Sequence, residues 1–128
     1  MLHHLSLPVR NLRVSKPLYD AMLGALGYRC VCESEGFAGY GVEEGKDKLA
    51  LMEIEEPGRA RPRFHIALAA HSPREVDAFH DAALRYGAKD NGAPGLRPHY
   101  GATYYAAFVV DLDGNHIEAV HNETTDDA

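Results

Sequence analysis

The chain has 128 residues, 45% of them hydrophobic and 25% charged, and a formal net charge of −6. That composition suits one domain with one ordinary core and excludes a disordered tail, a collagen-like rod or a large multidomain enzyme. An acidic chain has no electrostatic drive toward phosphate backbones, so no nucleic-acid partner is expected. No apolar run approaches the ~18 residues needed to span a membrane, so no membrane partner is expected either.

The opening Met1-Leu2-His3-His4 lacks a basic segment followed by an apolar one. No secretory leader is therefore expected, and the cytoplasm is the expected location. The first strand follows. Leu5, Leu7 and Val9 share one face, and His4 and Ser6 share the other. A helix is predicted next from Tyr19, Met22, Leu23 and Leu26, spaced i, i+3, i+4, i+7, closing on Gly27. Pro17 lacks an N–H, which places it in the first turn, with Ser15 or Asn11 near the cap. Strands are predicted at Tyr28 to Glu33, Phe37 to Val42 and Leu49 to Glu55. Cys30 and Cys32 sit two apart on the first of these, so their side chains should point the same way. A soft metal could use such a pair, but reduced packing residues are the reading adopted.

The segment from Pro57 to Pro62 reads as a linker. Beyond it, Phe64, Ile66 and Leu68 share one face of a strand, and His65, Ala67 and Ala69 the other. Ser72-Pro73-Arg74-Glu75 then opens a helix with a capping Ser, a Pro at the first position and a Glu at the third. Val76, Phe79, Ala83 and Tyr86 form its apolar stripe, and Gly87 closes it. His71 and His80 are expected at the surface. Gly87 to Thr103 is rich in Gly and Pro and reads as a long loop of the kind that forms binding lids. Strands at Tyr104 to Asp111 and Asn115 to His121 follow, joined by a tight Asp113-Gly114 turn. The tail at 123–128 is expected to be disordered.

The two halves repeat. Aligning His4 with His65 pairs Leu5 with Ile66 and Leu7 with Leu68, and each half then runs strand, helix, further strands. About 60 residues alone bury little core, so the halves, about 2–57 and 63–122, are read as modules of one domain spanning 1–122. Glu53 and Glu118 each fall in the last strand of a module, among apolar neighbours. A carboxylate there is costly unless something pairs with it. His4, His65, Glu118 and, with less support, Glu53 could satisfy one another around a divalent ion, and imidazole with carboxylate suits Zn, Ni, Fe or Mn. Asp111-Leu-Asp113-Gly-Asn115 superficially matches a calcium loop, but its Gly is at the fourth place and no Glu stands at the twelfth.

Three stretches resemble the vicinal oxygen chelate superfamily of glyoxalase I, extradiol dioxygenases and fosfomycin- and bleomycin-resistance proteins. They are His4-Leu-Ser-Leu-Pro-Val9 with Asn11-Leu12 and Tyr19, Phe64-His65-Ile-Ala-Leu68, and Asp111-Leu-Asp-Gly-Asn115-His-Ile-Glu118. The resemblance implies an α+β fold of two βαβββ modules, a half-open, barrel-like mixed sheet with helices outside. It also implies metal ligands at His4, His65 and Glu118, with Glu53 as a fourth in glyoxalase-like members. The expected activity is that of a divalent-metal lyase or isomerase, or an extradiol-type dioxygenase, acting on a small oxygen-rich molecule. Arg97, Tyr100 and Tyr104 would bind the substrate, with Glu118, His99 and Tyr105 moving protons. A homodimer is expected. The alternatives are a metal-free, ligand-sequestering protein of the bleomycin-resistance kind, and an interaction scaffold.

Overall fold

The computed structural model describes residues 2–54 and 65–123. The linker expected at 57–62, the contribution of Phe64 and the tail from 124 lie outside these residues. The chain runs β1 (Leu5–Val9), α1 (Leu12–Gly24), β2 (Arg29–Ser34), β3 (Phe37–Gly41), β4 (Leu49–Glu53), β5 (His65–Ala69), α2 (Pro73–Arg85), β6 (Lys89–Leu96), β7 (Tyr104–Val110) and β8 (His116–Asn122). This is the βαβββ plan, twice. Each module has its own mixed four-stranded sheet, ordered β1-β4-β3-β2 and β5-β8-β7-β6, and neither sheet closes into a barrel.

The repeat extends to the register. In the parallel pair β1–β4, Leu5 lies opposite Leu49; in β5–β8, Ile66 lies opposite Ile117. In both modules the apolar parity of the first strand faces the helices. Leu7 and Val9 are fully buried there, and with Tyr19, Met22, Val76, Phe79, Ala83 and Ile117 they belong to one core that draws on both modules. The predicted stripe of α1 is buried throughout; that of α2 is buried as far as Ala83, but Tyr86 caps the helix and is 49% exposed.

Four local expectations are corrected. Helix α1 begins at Leu12, so Pro17 falls in its second turn. Asn11 does hold the N-cap position, as expected, but its side chain makes no capping bond, and Glu53 on β4 accepts a hydrogen bond from the Leu12 N–H at 3.0 Å. Cys30 and Cys32 do not share a face, because a bulge between them pairs Cys30 with Tyr40 and Cys32 with Gly39. The supposed loop after Gly87 contains β6, an edge strand bulged at Gly92, and Pro94 is tolerated because an edge strand can spare one N–H. Finally, His80 is buried, meeting Asp90 Oδ1 at 3.0 Å.

Burial raises the pKa of Tyr19 well above its ordinary value, helped by the Asp111 carboxylate that its hydroxyl meets. Burial and the Asp20 carboxylate do the same for Tyr40. These phenols keep protons that the unfolded chain releases above pH ~10, so their contribution to stability is whole below that pH and falls as pH climbs further. An alkaline titration followed at 295 nm is expected to leave part of the signal from the seven tyrosines silent until the far-UV circular dichroism collapses. Smooth ionisation of all seven near pH ~10 with the fold intact would contradict this.

Candidate functional site

In a strand pair, opposed residues share a face. Register therefore decides which side chains can meet on the sheet face turned away from the helices, here called the open face. On β5 that face carries His65, Ala67 and Ala69. Opposite them on β8 stand His116, Glu118 and Val120, and on β7 Phe108 stands opposite Glu118 and Tyr104 opposite Asn122.

Glu118 is the centre of this face. It is 1% exposed, a costly place for a carboxylate without partners. Its Oε1 lies 2.6 Å from His65 Nε2, and its Oε2 accepts the Tyr104 hydroxyl at 2.5 Å. The His65 side chain remains 53% exposed, so the pair is buried at the carboxylate and open at the imidazole. Burial, then the Glu118 contact, raises the Tyr104 pKa far above its ordinary value, so its phenol is a hydrogen-bond donor across the physiological range.

Around this trio lies a belt of rings. Phe108 sets its edge toward His65 at 6.1 Å between centroids, and the Arg97 guanidinium sits 5.2 Å over its ring. His99 tilts against Tyr100 at 4.3 Å, and Tyr100 against Tyr104 at 5.2 Å. Asn91, Gly92, Arg97, His99, Tyr100 and Phe108 line an open depression of about 310 Å³. Thus His65, Glu118, Arg97, His99, Tyr100 and Tyr104, six of the residues singled out in the sequence, belong to one module and one patch.

Three others stand elsewhere. Tyr105 has the opposite parity to Tyr104 and points toward α2, where its hydroxyl meets Asp77 Oδ1 at 2.6 Å. Glu53 lies opposite Val9, on the helix side of its sheet, and is engaged at the start of α1. The register makes Ala50, not Glu53, the counterpart of Glu118, because Leu49 corresponds to Ile117. His4 is exposed beside His3, with their Nδ1 atoms 2.9 Å apart. Among the described residues, no three His, Cys, Asp or Glu side chains gather closely enough to hold an ion. His65 and Glu118 therefore meet, and His4 stands apart from them.

Phe108 and His116 went unnoticed in the sequence. Both share the parity of Glu118, so the alternation alone could have found them. An apolar crevice between β1 and β5, lined by Leu5, Leu49, Ile66 and Leu68 among others, holds none of the site residues.

Two four-stranded mixed sheets, each carrying one helix, in two βαβββ modules define a glyoxalase-like α+β protein. The model of the Glyoxalase/Bleomycin resistance protein/Dioxygenase superfamily matches residues 1–119, and the chain belongs to that superfamily. None of the curated proteins matches it. Among solved structures it is similar to a glyoxalase/bleomycin resistance protein from Albidiferax ferrireducens, at 30% identity and a TM-score of 0.77, covering 92% of this chain and 95% of that one. It shares its fold with a glyoxalase/bleomycin resistance protein/dioxygenase family enzyme from Burkholderia phytofirmans, at 17% identity and a TM-score of 0.72, over 94% and 98% of the two chains. It shares it also with a fosfomycin resistance protein from Mesorhizobium loti, at 18% identity and 0.66, over 94% and 91%. No described helix is long and apolar enough to cross a membrane.

Proposed function

We propose that the protein is a divalent-metal-dependent enzyme of the lyase/isomerase or dioxygenase kind, acting on a small oxygen-rich molecule at the open face of the second module. The observation that carries this reading is the pairing of Glu118, 1% exposed, with a half-exposed imidazole 2.6 Å away. A buried carboxylate and an accessible His are the donor chemistry that Zn, Ni, Fe or Mn accepts. His65 and Glu118 would hold the ion, and His4 would complete the set from the first module of a second copy, making the working unit a homodimer. When bound, such an ion polarises a substrate oxygen. The rest falls to the chain itself. Tyr104 donates its hydrogen bond to Glu118 and fixes the carboxylate's orientation. His99, on the rim of the depression, would move a proton to or from a bound molecule, and with Tyr100 it walls the approach. Tyr105 and Glu53 have no part in this reading.

A second reading has its own observation. Both oxygens of Glu118 already have protein partners, so the trio is satisfied as it stands and could wall a metal-free pocket that sequesters a ligand. Metal content separates the two. Untagged protein purified without chelator is expected to carry about one divalent ion per chain, lost in a His65→Ala/Glu118→Ala variant. Iron would favour the dioxygenase, and nickel or zinc the lyase or isomerase. If no ion is found and none is taken up from added Zn, Ni, Mn or anaerobic Fe(II), the enzyme reading fails and the ligand trap stands.

A further inference from the structure

The depression beside Glu118 contains a cation that no carboxylate pairs among the described residues. Arg97 is half-buried, and no carboxylate lies within ion-pairing distance of it among the described residues. Arg97 is held by its own backbone instead. Its Nη1 donates to Gly95 O at 2.9 Å and its Nη2 to Ala93 O at 2.7 Å. Those carbonyls fix the guanidinium without neutralising it. They also leave further N–H groups of its fork to bond, and a fork of that shape matches a carboxylate or phosphonate.

The surroundings add a second requirement. Arg97 lies against one face of Phe108, and Tyr100 and His99 continue the ring surface along the same depression. Gly92 keeps the floor open. Its φ is +149°, and a Cβ there would stand 2.9 Å from Phe108 Cδ1 and 3.1 Å from Arg97 Nη2. The backbone thus makes room for the ring and the guanidinium together. At about 310 Å³ the space lies at the small end of ligand pockets, suited to one ring or its equivalent rather than a long chain.

From this we infer that the site takes a small, planar, singly anionic molecule, its acid group on Arg97 and its flat unsaturated part against Phe108 and Tyr100. The inference rests on the second module's open face being the functional site, and it names the substrate class for that site. Phe108 borders both groups, with Arg97 over its ring and His65 6.1 Å away between centroids, so the reacting oxygens and the anchoring acid are different groups of the same molecule.

The test uses chelator-treated full-length protein, so that it is independent of any ion. Binding of benzoate, benzamide and cyclohexanecarboxylate is followed by perturbation of backbone and arginine Nε–H resonances. Benzoate is expected to bind saturably and to shift the Arg97 signal. Benzamide, lacking the charge, and cyclohexanecarboxylate, lacking the flat ring, are each expected to bind about ten-fold more weakly or worse. Arg97→Gln should lose benzoate affinity about ten-fold while its spectrum stays folded, and Arg97→Lys should recover part of it. Gly92→Ala gives an independent check, since displacing Phe108 and Arg97 should weaken benzoate with both groups still present. If benzoate does not saturate, or binds Arg97→Gln as well as the parent, the anion subsite is refuted. If cyclohexanecarboxylate matches benzoate, the planar requirement is refuted. A protein that binds ions but not benzoate would lose this inference and keep its metal reading; one that binds benzoate but no ion would do the reverse.

Discussion

Asp111→Ala is expected to destabilise the protein by about 3 kcal/mol, with a fall in Tm on the order of 10 °C. Asp111 is 5% exposed and begins the β7–β8 turn. Its Oδ1 accepts the N–H groups of Asp113 and Asn115 at 2.9 and 2.8 Å. Its Oδ2 accepts the Tyr19 hydroxyl at 2.5 Å and the Asn115 side chain at 2.9 Å. One carboxylate therefore shapes the turn of the second module and ties it to the middle of α1 in the first. Removing it leaves donors buried without acceptors, and each such donor costs about 1–3 kcal/mol, less than additively where they share one network. Tyr19→Phe keeps the carboxylate and three of its donors, so its cost is expected near 1–2 kcal/mol. Asp113→Ala should cost less again, since Asp113 reaches Arg10 N at 3.0 Å and Ser15 Oγ at 3.3 Å from the rim. Urea unfolding of the three variants, with the Tyr19→Phe/Asp111→Ala double variant closing a cycle, gives the order and the coupling. An Asp111→Ala cost no larger than that of Asp113→Ala would show that the turn is held by its backbone alone.

The same turn shows what could be read from the sequence. Asp111-Leu-Asp-Gly-Asn115 announced a hairpin turn because Gly114, at φ +88°, and a side chain able to collect backbone N–H groups are local requirements. The tie to Tyr19 spans 92 residues and has no local signature. The strand faces divide the same way. Alternation sufficed to put His65 on the open side and Leu68 on the core side, and applied to β7 it would have separated Tyr104 from Tyr105, which being neighbours cannot both face one pocket. Glu53 was harder. Its face follows from the β1–β4 register, and its capping of α1 replaces a side-chain bond that Asn11, the residue in the capping position, does not make. Cys30 and Cys32 were parted by a bulge that places Val31 in the interior, 2% exposed. The sequence KDNGAPGL of β6 holds none of the β-branched or aromatic residues that favour strands. It pairs because β7 supplies an apolar, regular partner, and its glycines are where Arg97 and Phe108 approach the backbone. The composition that hid the strand is the composition the site needs.

The largest functional effect is expected from mixing two damaged proteins. If His4 of one copy joins His65 and Glu118 of another, His4→Ala and His65→Ala protomers fail separately for different reasons. A His4→Ala dimer has two intact His65–Glu118 pairs and no third ligand, whereas a His65→Ala dimer has two third ligands and only half of each pair. Neither should retain the ion at stoichiometric level. In a mixed dimer, His4 of the His65→Ala chain meets the intact pair of the His4→Ala chain, and one of the two sites is whole. Random reassortment from an equal mixture should therefore restore roughly a quarter of the parent's ion content, and with it a similar share of any metal-dependent activity. Two modules meeting within one chain would give no restoration, since each polypeptide then carries its own defect. The exposure of His4, apart from His65 and Glu118 among the described residues, favours the first outcome. A mixture that stays empty while the parent holds its ion would place the third ligand within the chain.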